Sequence, residues 1–208
     1  MQNRGMDRPV YGPGSLLVAT PSLVDPSFRR TVVLLLAHGD DGTLGVVLNR
    51  PSETSVQTVL PGWERWVSKP RAMFYGGPVG ASSALCVGVR RAGTSTAAGT
   101  LEREIDSLLD PVARPLARVS GELVLVDLDA DPLDVVGQLR GARVYAGHSG
   151  WGAGQLADEI AEGSWYVVDS EADDVLAGPS IDLWFRVLRR QGLPLAMAAY
   201  QPLEPSLN

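Results

Sequence analysis

Residues 145–165 read YAGHSGWGAGQLADEIAEGSW, and how this stretch folds decides how the rest of the chain is arranged. Ala142 to Tyr145 has the apolar character of a strand end, and Gly147, Gly150, Gly152 and Gly154 open backbone conformations closed to other residues. Leu156 and Ile160 repeat at i, i+4 with Ala157 and Ala161 beside them, while Asp158, Glu159 and Glu162 fall on the other face. That pattern predicts an amphipathic helix, with Gly163 as its stop. A strand, a glycine-rich turn and a helix N-terminus in this order expose free backbone N–H groups. Two readings stand side by side: a cradle for an anion, or a turn that sharpens strand-to-helix packing.

On either side of this stretch, composition sets the frame. The chain has 208 residues, of which 45% are hydrophobic, enough to bury a core without cross-links. One domain is expected over residues 14–208, preceded by a loose tail over residues 1–13. The net charge is −6 and the sequence pI near 4.9, which opposes attraction to a phosphate backbone, so direct specific DNA binding is not expected. Cys86 is the only cysteine, which excludes an intramolecular disulfide and any CxxC motif and fits a reducing compartment. His38 and His148 are the only histidines, too few for a His-rich metal site, and no cofactor is expected. The N-terminus lacks an apolar leader, and the longest apolar run, Val32 to Ala37, is far short of the ~20 residues a membrane span needs. A cytoplasmic protein with no membrane partner is the expectation.

In chain order, Leu16 to Ala19 predicts a short buried strand, and Asp25-Pro26 pairs an N-cap with proline at N1. Thr31 to His38 is apolar without alternation, the pattern of a central strand covered on both faces. Asp41-Gly42 then turns it into a hairpin that returns as Leu44 to Leu48. Ser52 to Leu60 predicts a short helix stopped by Pro61, and Met73 to Tyr75 a brief strand ending in Gly76-Gly77-Pro78, a turn with no evident purpose. Ala84 to Val89 predicts a strand, Gly93 to Thr100 a mobile loop, and Gly121 to Leu128 a further strand. Asp131-Pro132 opens a helix with Val135, Val136 and Leu139 on one face. Trp165 to Val168 predicts another strand, followed by an acidic turn from Asp169 to Asp174. In the last helix Ser180 is the expected cap, and Ile181, Trp184, Phe185 and Leu188 make the apolar stripe. Arg186, Arg189 and Arg190 would complement its dipole.

Candidate chemistry is sparse. Gly147-His148-Ser149-Gly150-Trp151 narrowly misses the G-x-S-x-G nucleophile elbow, because Trp151 stands where the last glycine must let the turn close. No Lys-Ser/Thr pair follows Gly154 to make a phosphate-binding loop, and there is no GxGxxG fingerprint. Asp25 and Asn49-Arg50 lie at strand ends of one N-terminal unit, where Arg50 either pairs a carboxylate or holds an anionic ligand; the alternative is a helix cap and an ordinary surface ion pair. His38 has no visible partner for catalysis, and Cys86 in an apolar strand would be inert with a raised pKa.

The ordered set GSLLVATPSLVDPSF, GVVLNRP, YGGPV, GHSGWGAGQLADEI with SW after it, and a terminal PSLN resembles the AlgH-like (YqgE-like) family of bacterial proteins. The resemblance runs from Gly14 to Asn208. It implies a single α/β domain with a bifurcated mixed sheet, part of it curled into a small barrel with helices around it. The family also carries the label of transcriptional regulator, which the charge balance opposes in the sense of direct DNA contact. Where the family usually has Gly-Tyr-Ala-Gly-Trp, this chain has His148 and Ser149 between Gly147 and Gly150.

Two classes of function follow. One is a non-catalytic binding or regulatory protein that takes a small anionic ligand or a protein partner. The other is a hydrolase or transferase with an unrecognised catalytic set. For the first, the expected site is a single cleft lined by Gly147, His148, Ser149, Gly150, Trp151, Gly152, Gly154 and Gln155 together with Asp25, Asn49 and Arg50. There Trp151 would form an apolar wall, the N–H groups near Gly154 and Gln155 would face an anion, and Arg50 would add charge.

Overall fold

In a computed structural model that describes residues 11–93 and 115–201, the apolar run at Val32 to Ala37 is a strand buried on both faces, every residue from Val32 to Leu36 having no exposed surface. It is β2 (Val32–Gly39), which follows β1 (Ser15–Ala19) and turns through Asp40-Asp41 into β3 (Gly42–Val47), His38 opposite Thr43. The expected helix at Ser52 to Leu60 begins instead as a strand, β4 (Pro51–Ser55), because its backbone is claimed by β5 (Ala72–Tyr75); only α1 (Val56–Val59) is helical, capped by Ser55. β6 (Val79–Arg90) is twice as long as the sequence implied. The loop expected from Gly93 to Thr100 and the terminal PSLN lie outside the described residues from residue 94 and from residue 202.

The strand expected at Gly121 to Leu128 is one half of a hairpin, β7 (Leu116–Ser120) and β8 (Leu123–Val126). The helix at Asp131-Pro132 is a single turn, α2 (Pro132–Val135), capped by the Asp131 side chain, and a 3-10 turn carries it into β9 (Leu139–Gly152). Then come α3 (Gln155–Ala161), β10 (Trp165–Asp169), α4 (Ala172–Val175) and α5 (Leu183–Arg189). The acidic turn is therefore partly helix. Asp182, not Ser180, caps α5 by accepting the Phe185 N–H at 3.0 Å, which puts Leu183, Trp184, Val187 and Leu188 inside and leaves Ile181 40% exposed.

The strands join in the order β10-β1-β2-β3-β9-β6-β8-β7, with β4 and β5 branching from β9. All pairs are antiparallel except β5 with β9. The branch is the organising feature. One flank of β9 pairs with β5 at Tyr145 and Ala146 and with β3 from Ser149 to Gly152, while its other flank runs along β6. The sheet thus divides in two at Gly147.

Alternation along the strands sorts the core. Leu16, Val18, Leu34, Val46, Val87, Leu125 and Tyr145 face the inside of the curl and are covered by α5 through Trp184 and Leu188. Leu17, Ala19, Val33, Leu35 and Val47 face the opposite side, under α3. Cys86, Val124, Val126, Ala142 and Val144 form a third cluster with Val56, Trp63 and Val135. Tyr145 and Trp151 are an even number of residues apart yet belong to different clusters, because Gly147 at φ 67° turns the strand over. The inner face also holds Arg143, 1% exposed, which donates from Nε to the Val175 carbonyl at 2.9 Å and from Nη2 to the Leu176 carbonyl at 3.1 Å. Its guanidinium stacks 4.1 Å above the Phe74 ring, and burial lowers its pKa.

Candidate functional site

The glycines after Tyr145 were expected to form a turn, and they form strand. Gly150 lies opposite Leu44 and Gly152 opposite Gly42, so Gly147 to Gly152 is the second half of β9. Backbone crossing explains Gly147: a Cβ there would lie 2.7 Å from the Val79 carbonyl oxygen and 2.9 Å from that of Gly77, and one on Gly76 would collide with the Gly147 carbonyl. Only Ala153 and Gly154 turn, at the start of α3. Of the N–H groups at this turn, that of Gly152 donates to Gln155 Oε1 at 3.0 Å, and α3 begins at Gln155 with Gly154, at φ 76°, as its N-cap.

The His148, Ser149 and Trp151 side chains on this half of β9 are buried. Ser149 has no exposed surface and donates its hydroxyl to the Gly76 carbonyl at 3.1 Å, which is incompatible with the exposed serine of a nucleophile elbow. Trp151 is 5% exposed rather than an open wall. Its indole N–H donates to Glu159 Oε2 at 2.9 Å, the Trp165 indole donates to the same oxygen at 2.8 Å, and Gln155 Nε2 donates to Glu159 Oε1 at 3.0 Å. Phe28 packs against both tryptophans, with ring centroids 6.1 and 5.5 Å away. His148 is 7% exposed beneath Gly80, its Nδ1 has no hydrogen-bond partner, and burial lowers its pKa.

In the N-terminal unit, Asp25 and Asn49 are taken up by backbone. Asp25 Oδ1 accepts the Ser27 N–H at 2.8 Å. Asn49 Oδ1 accepts the Val32 N–H at 3.0 Å and Nδ2 donates to the Arg30 carbonyl at 2.9 Å, which holds Arg30 at its positive φ of 54°. Arg30 itself pairs with Asp182 at 2.9 Å and lies 4.1 Å over the Trp184 ring. Arg50 differs. Its Nη2 donates to the Arg29 carbonyl at 2.7 Å, and among the described residues no carboxylate lies within ion-pair distance of it, so the carboxylate pair weighed for Arg50 is not made.

Arg50 lines a cleft of about 300 Å³ with Pro26, Ser27, Val47, Tyr75, Gly77 and Pro78. The structure therefore brings Arg50 and the turn that starts at Asp25 to one place, and links them to the Gly147–Ser149 segment through the Gly76-Gly77-Pro78 turn that is bonded to it. The glycines of β9, His148, Ser149, Trp151, Gln155, Asp25 and Asn49 do not line the cleft, and Asn49 lines a separate hollow beside Pro51. Ser27, Tyr75 and Pro78 were missed in the sequence; the signal was the turn at Gly76-Gly77-Pro78, whose purpose is to close the fork between β3 and β5. Val47 donates its N–H to the Gly76 carbonyl and Gly76 donates to the Ala146 carbonyl, both at 2.8 Å, so the cleft sits where the sheet divides. Tyr75, in its wall, remains 57% exposed.

Two other hollows differ in character. One of about 480 Å³ runs beside β10 and 191–195, with Asp169 its charged residue; one of about 200 Å³ lies between Leu48–Pro51 and Ala177–Leu183, with Asp182 its charged residue. Among the described residues, no three His, Cys, Asp or Glu side chains stand together as a metal site, and no helix is long and apolar enough to cross a membrane. Cys86 is 1% exposed and its pKa is pushed up to about 12 by burial.

Comparison with known proteins gives a consistent answer. The AlgH-like family model matches residues 16–196. A UPF0301 protein of Rhodococcus erythropolis is 46% identical over 200 residues, covering 96% of this chain and 92% of that protein. One of Mycobacterium tuberculosis is 48% identical over 196 residues, covering 94% and 90%. The crystal structure of a Corynebacterium diphtheriae protein superposes with a TM-score of 0.82 at 37% identity, covering 93% of this chain and 94% of that one. The solution structure of AlgH from Pseudomonas aeruginosa has the same fold, with a TM-score of 0.61 at 24% identity over 97% and 98% of the two chains. On these matches, which span nearly the whole fold around the divided sheet, the chain belongs to the AlgH-like family.

Proposed function

We propose that the protein is a non-catalytic binding or regulatory protein whose site is the cleft at the fork of the sheet, and that it takes a small anionic ligand there. The observation that carries this reading is Arg50: a guanidinium without a carboxylate partner among the described residues, set against apolar walls at the point where two halves of a sheet diverge. Diverging strands leave a crevice between them, and concave sites with apolar walls and one charged group are where small ligands bind. The acidic balance of the whole chain speaks against direct DNA contact as the regulatory act, and the single cysteine suits a cytoplasmic setting.

The test is Arg50→Ala. A half-buried arginine bonded to one carbonyl and to no carboxylate contributes on the order of 0.5 kcal/mol to stability, so the melting temperature of the variant stays near that of the native protein. Anions that raise the melting temperature of the native protein then lose that effect, because a ligand stabilises only the state that binds it. Equal shifts in both proteins would place the binding elsewhere.

A further inference from the structure

Resting on that reading, we infer that the ligand class is a monocarboxylate on an apolar, preferably aromatic, body rather than a phosphate ester. The first ground is the donor set. Phosphate sites in proteins draw on several N–H groups at once, from a glycine-rich loop, a long helix N-terminus or a cluster of basic side chains. The cleft has one guanidinium and two hydroxyls, those of Ser27 and Tyr75, and its glycine, Gly77, sits in a turn that packs on β9 rather than opening a helix. One fork-shaped guanidinium matches one carboxylate, two parallel N–H···O bonds against two oxygens, and leaves the greater charge of a phosphate uncompensated.

The second ground is the remainder of the wall. Pro26, Val47 and Pro78 are apolar, and Tyr75, 57% exposed, offers a ring whose burial by a ligand is a gain with little to lose. Holding a small hydrated anion needs no such wall; holding an apolar body attached to one does. The volume of about 300 Å³ lies at the lower end of ligand pockets and suits one ring with a short acid side chain.

The experiment is an amide NMR titration of the native chain with 3-phenylpropionate, 3-phenylpropanol, inorganic phosphate and adenosine monophosphate, followed at Val47, Arg50, Tyr75 and Gly77. The expected result is saturable shifts with 3-phenylpropionate, and weak or no shifts with the other three. Arg50→Gln then weakens the carboxylate about tenfold or more, the worth of a charged hydrogen bond, and Tyr75→Ala weakens it while leaving the melting temperature unchanged. Phosphate or the nucleotide saturating these amides when the carboxylate does not would overturn the ligand class and leave the cleft as an anion site. The alcohol binding as tightly as the acid would also overturn it, since Arg50 would then be idle. If none of the four moves these amides, both the ligand class and the cleft reading fall.

Discussion

Asp174→Asn tests how the C-terminal helices are held to the sheet. The Asp174 side chain has no exposed surface, yet it receives four hydrogen bonds: Arg190 from Nη1 and Nη2, both at 2.7 Å, Arg186 from Nη2 at 2.9 Å, and the Glu171 N–H at 2.8 Å. The two arginines lie near the end of α5 and also bond the Asp169 and Asp173 carbonyls, so one carboxylate ties α4, α5 and the end of β10 together. Removing one member of a buried pair costs about 3–5 kcal/mol, because the charge left behind is desolvated and unmatched. Here the arginine side chains are 20% and 34% exposed and regain some water, which places the cost near about 3 kcal/mol. For a domain of this size that is a fall of roughly 6–12 °C in melting temperature. Thermal and urea unfolding followed by circular dichroism measure it. Salt should change the difference little, since the carboxylate is out of solvent. A loss under about 1 kcal/mol, or one that vanishes at high salt, would show that the cluster behaves as surface charges do and that the account of α5 anchoring is wrong.

Gly147→Ala forces a side chain onto a φ of 67° and against the Gly77 and Val79 carbonyls, so it should destabilise by about 2 kcal/mol or more, read by chemical denaturation; a neutral result would refute the crossing geometry. Cys86, buried with its pKa raised to about 12, should resist thiol reagents at pH 8 in the native state and react at once in denaturant; prompt native labelling would contradict its burial. Burial lowers the pKa of His148 below its ordinary 6.5, so the unfolded chain takes up its proton first and stability falls as pH drops through that value. His148→Gln should flatten the stability profile between about pH 5.5 and 7, and an unchanged slope would mean the imidazole is hydrated in the fold.

Much of the architecture could be read from apolar runs and turn residues. β2 showed itself by its lack of alternation, the β2–β3 hairpin by Asp41-Gly42, and α5 by its spacing, although its cap is Asp182 rather than Ser180. What failed was whatever depends on a distant partner. Glycines at Gly147, Gly150 and Gly152 suit a turn and a strand equally well; the approach of Gly76 and Gly77 decides it for Gly147, and pairing with β3 for Gly150 and Gly152. Ser52 to Ser55 has no strong helix or strand preference, and pairing with β5 settles it. Trp151 lay in a polar-looking segment, so its burial against Phe28 and Trp165 gave no local sign. The acidic residues before α5 looked like a solvated turn, although Asp174 is the best-bonded carboxylate described. Of the site residues named from sequence, Arg50 alone lines the cleft, since a loose guanidinium can be recognised only after its neighbours have taken their own partners.

β9 is one strand with two memberships, and cooperativity follows from that. Its Ala142–Ala146 half is ordered by β5 and β6 and its Ser149–Gly152 half by β3, with no break in the chain between them. Neither half of the sheet can detach without stripping a flank of the same strand, so the free energy of opening either one approaches that of opening both. Hydrogen exchange should therefore find the slowest amides in one unit with β9 as its spine. The clusters on the two sides of Gly147 melt together, although no side chain of Tyr145 shares a cluster with Trp151.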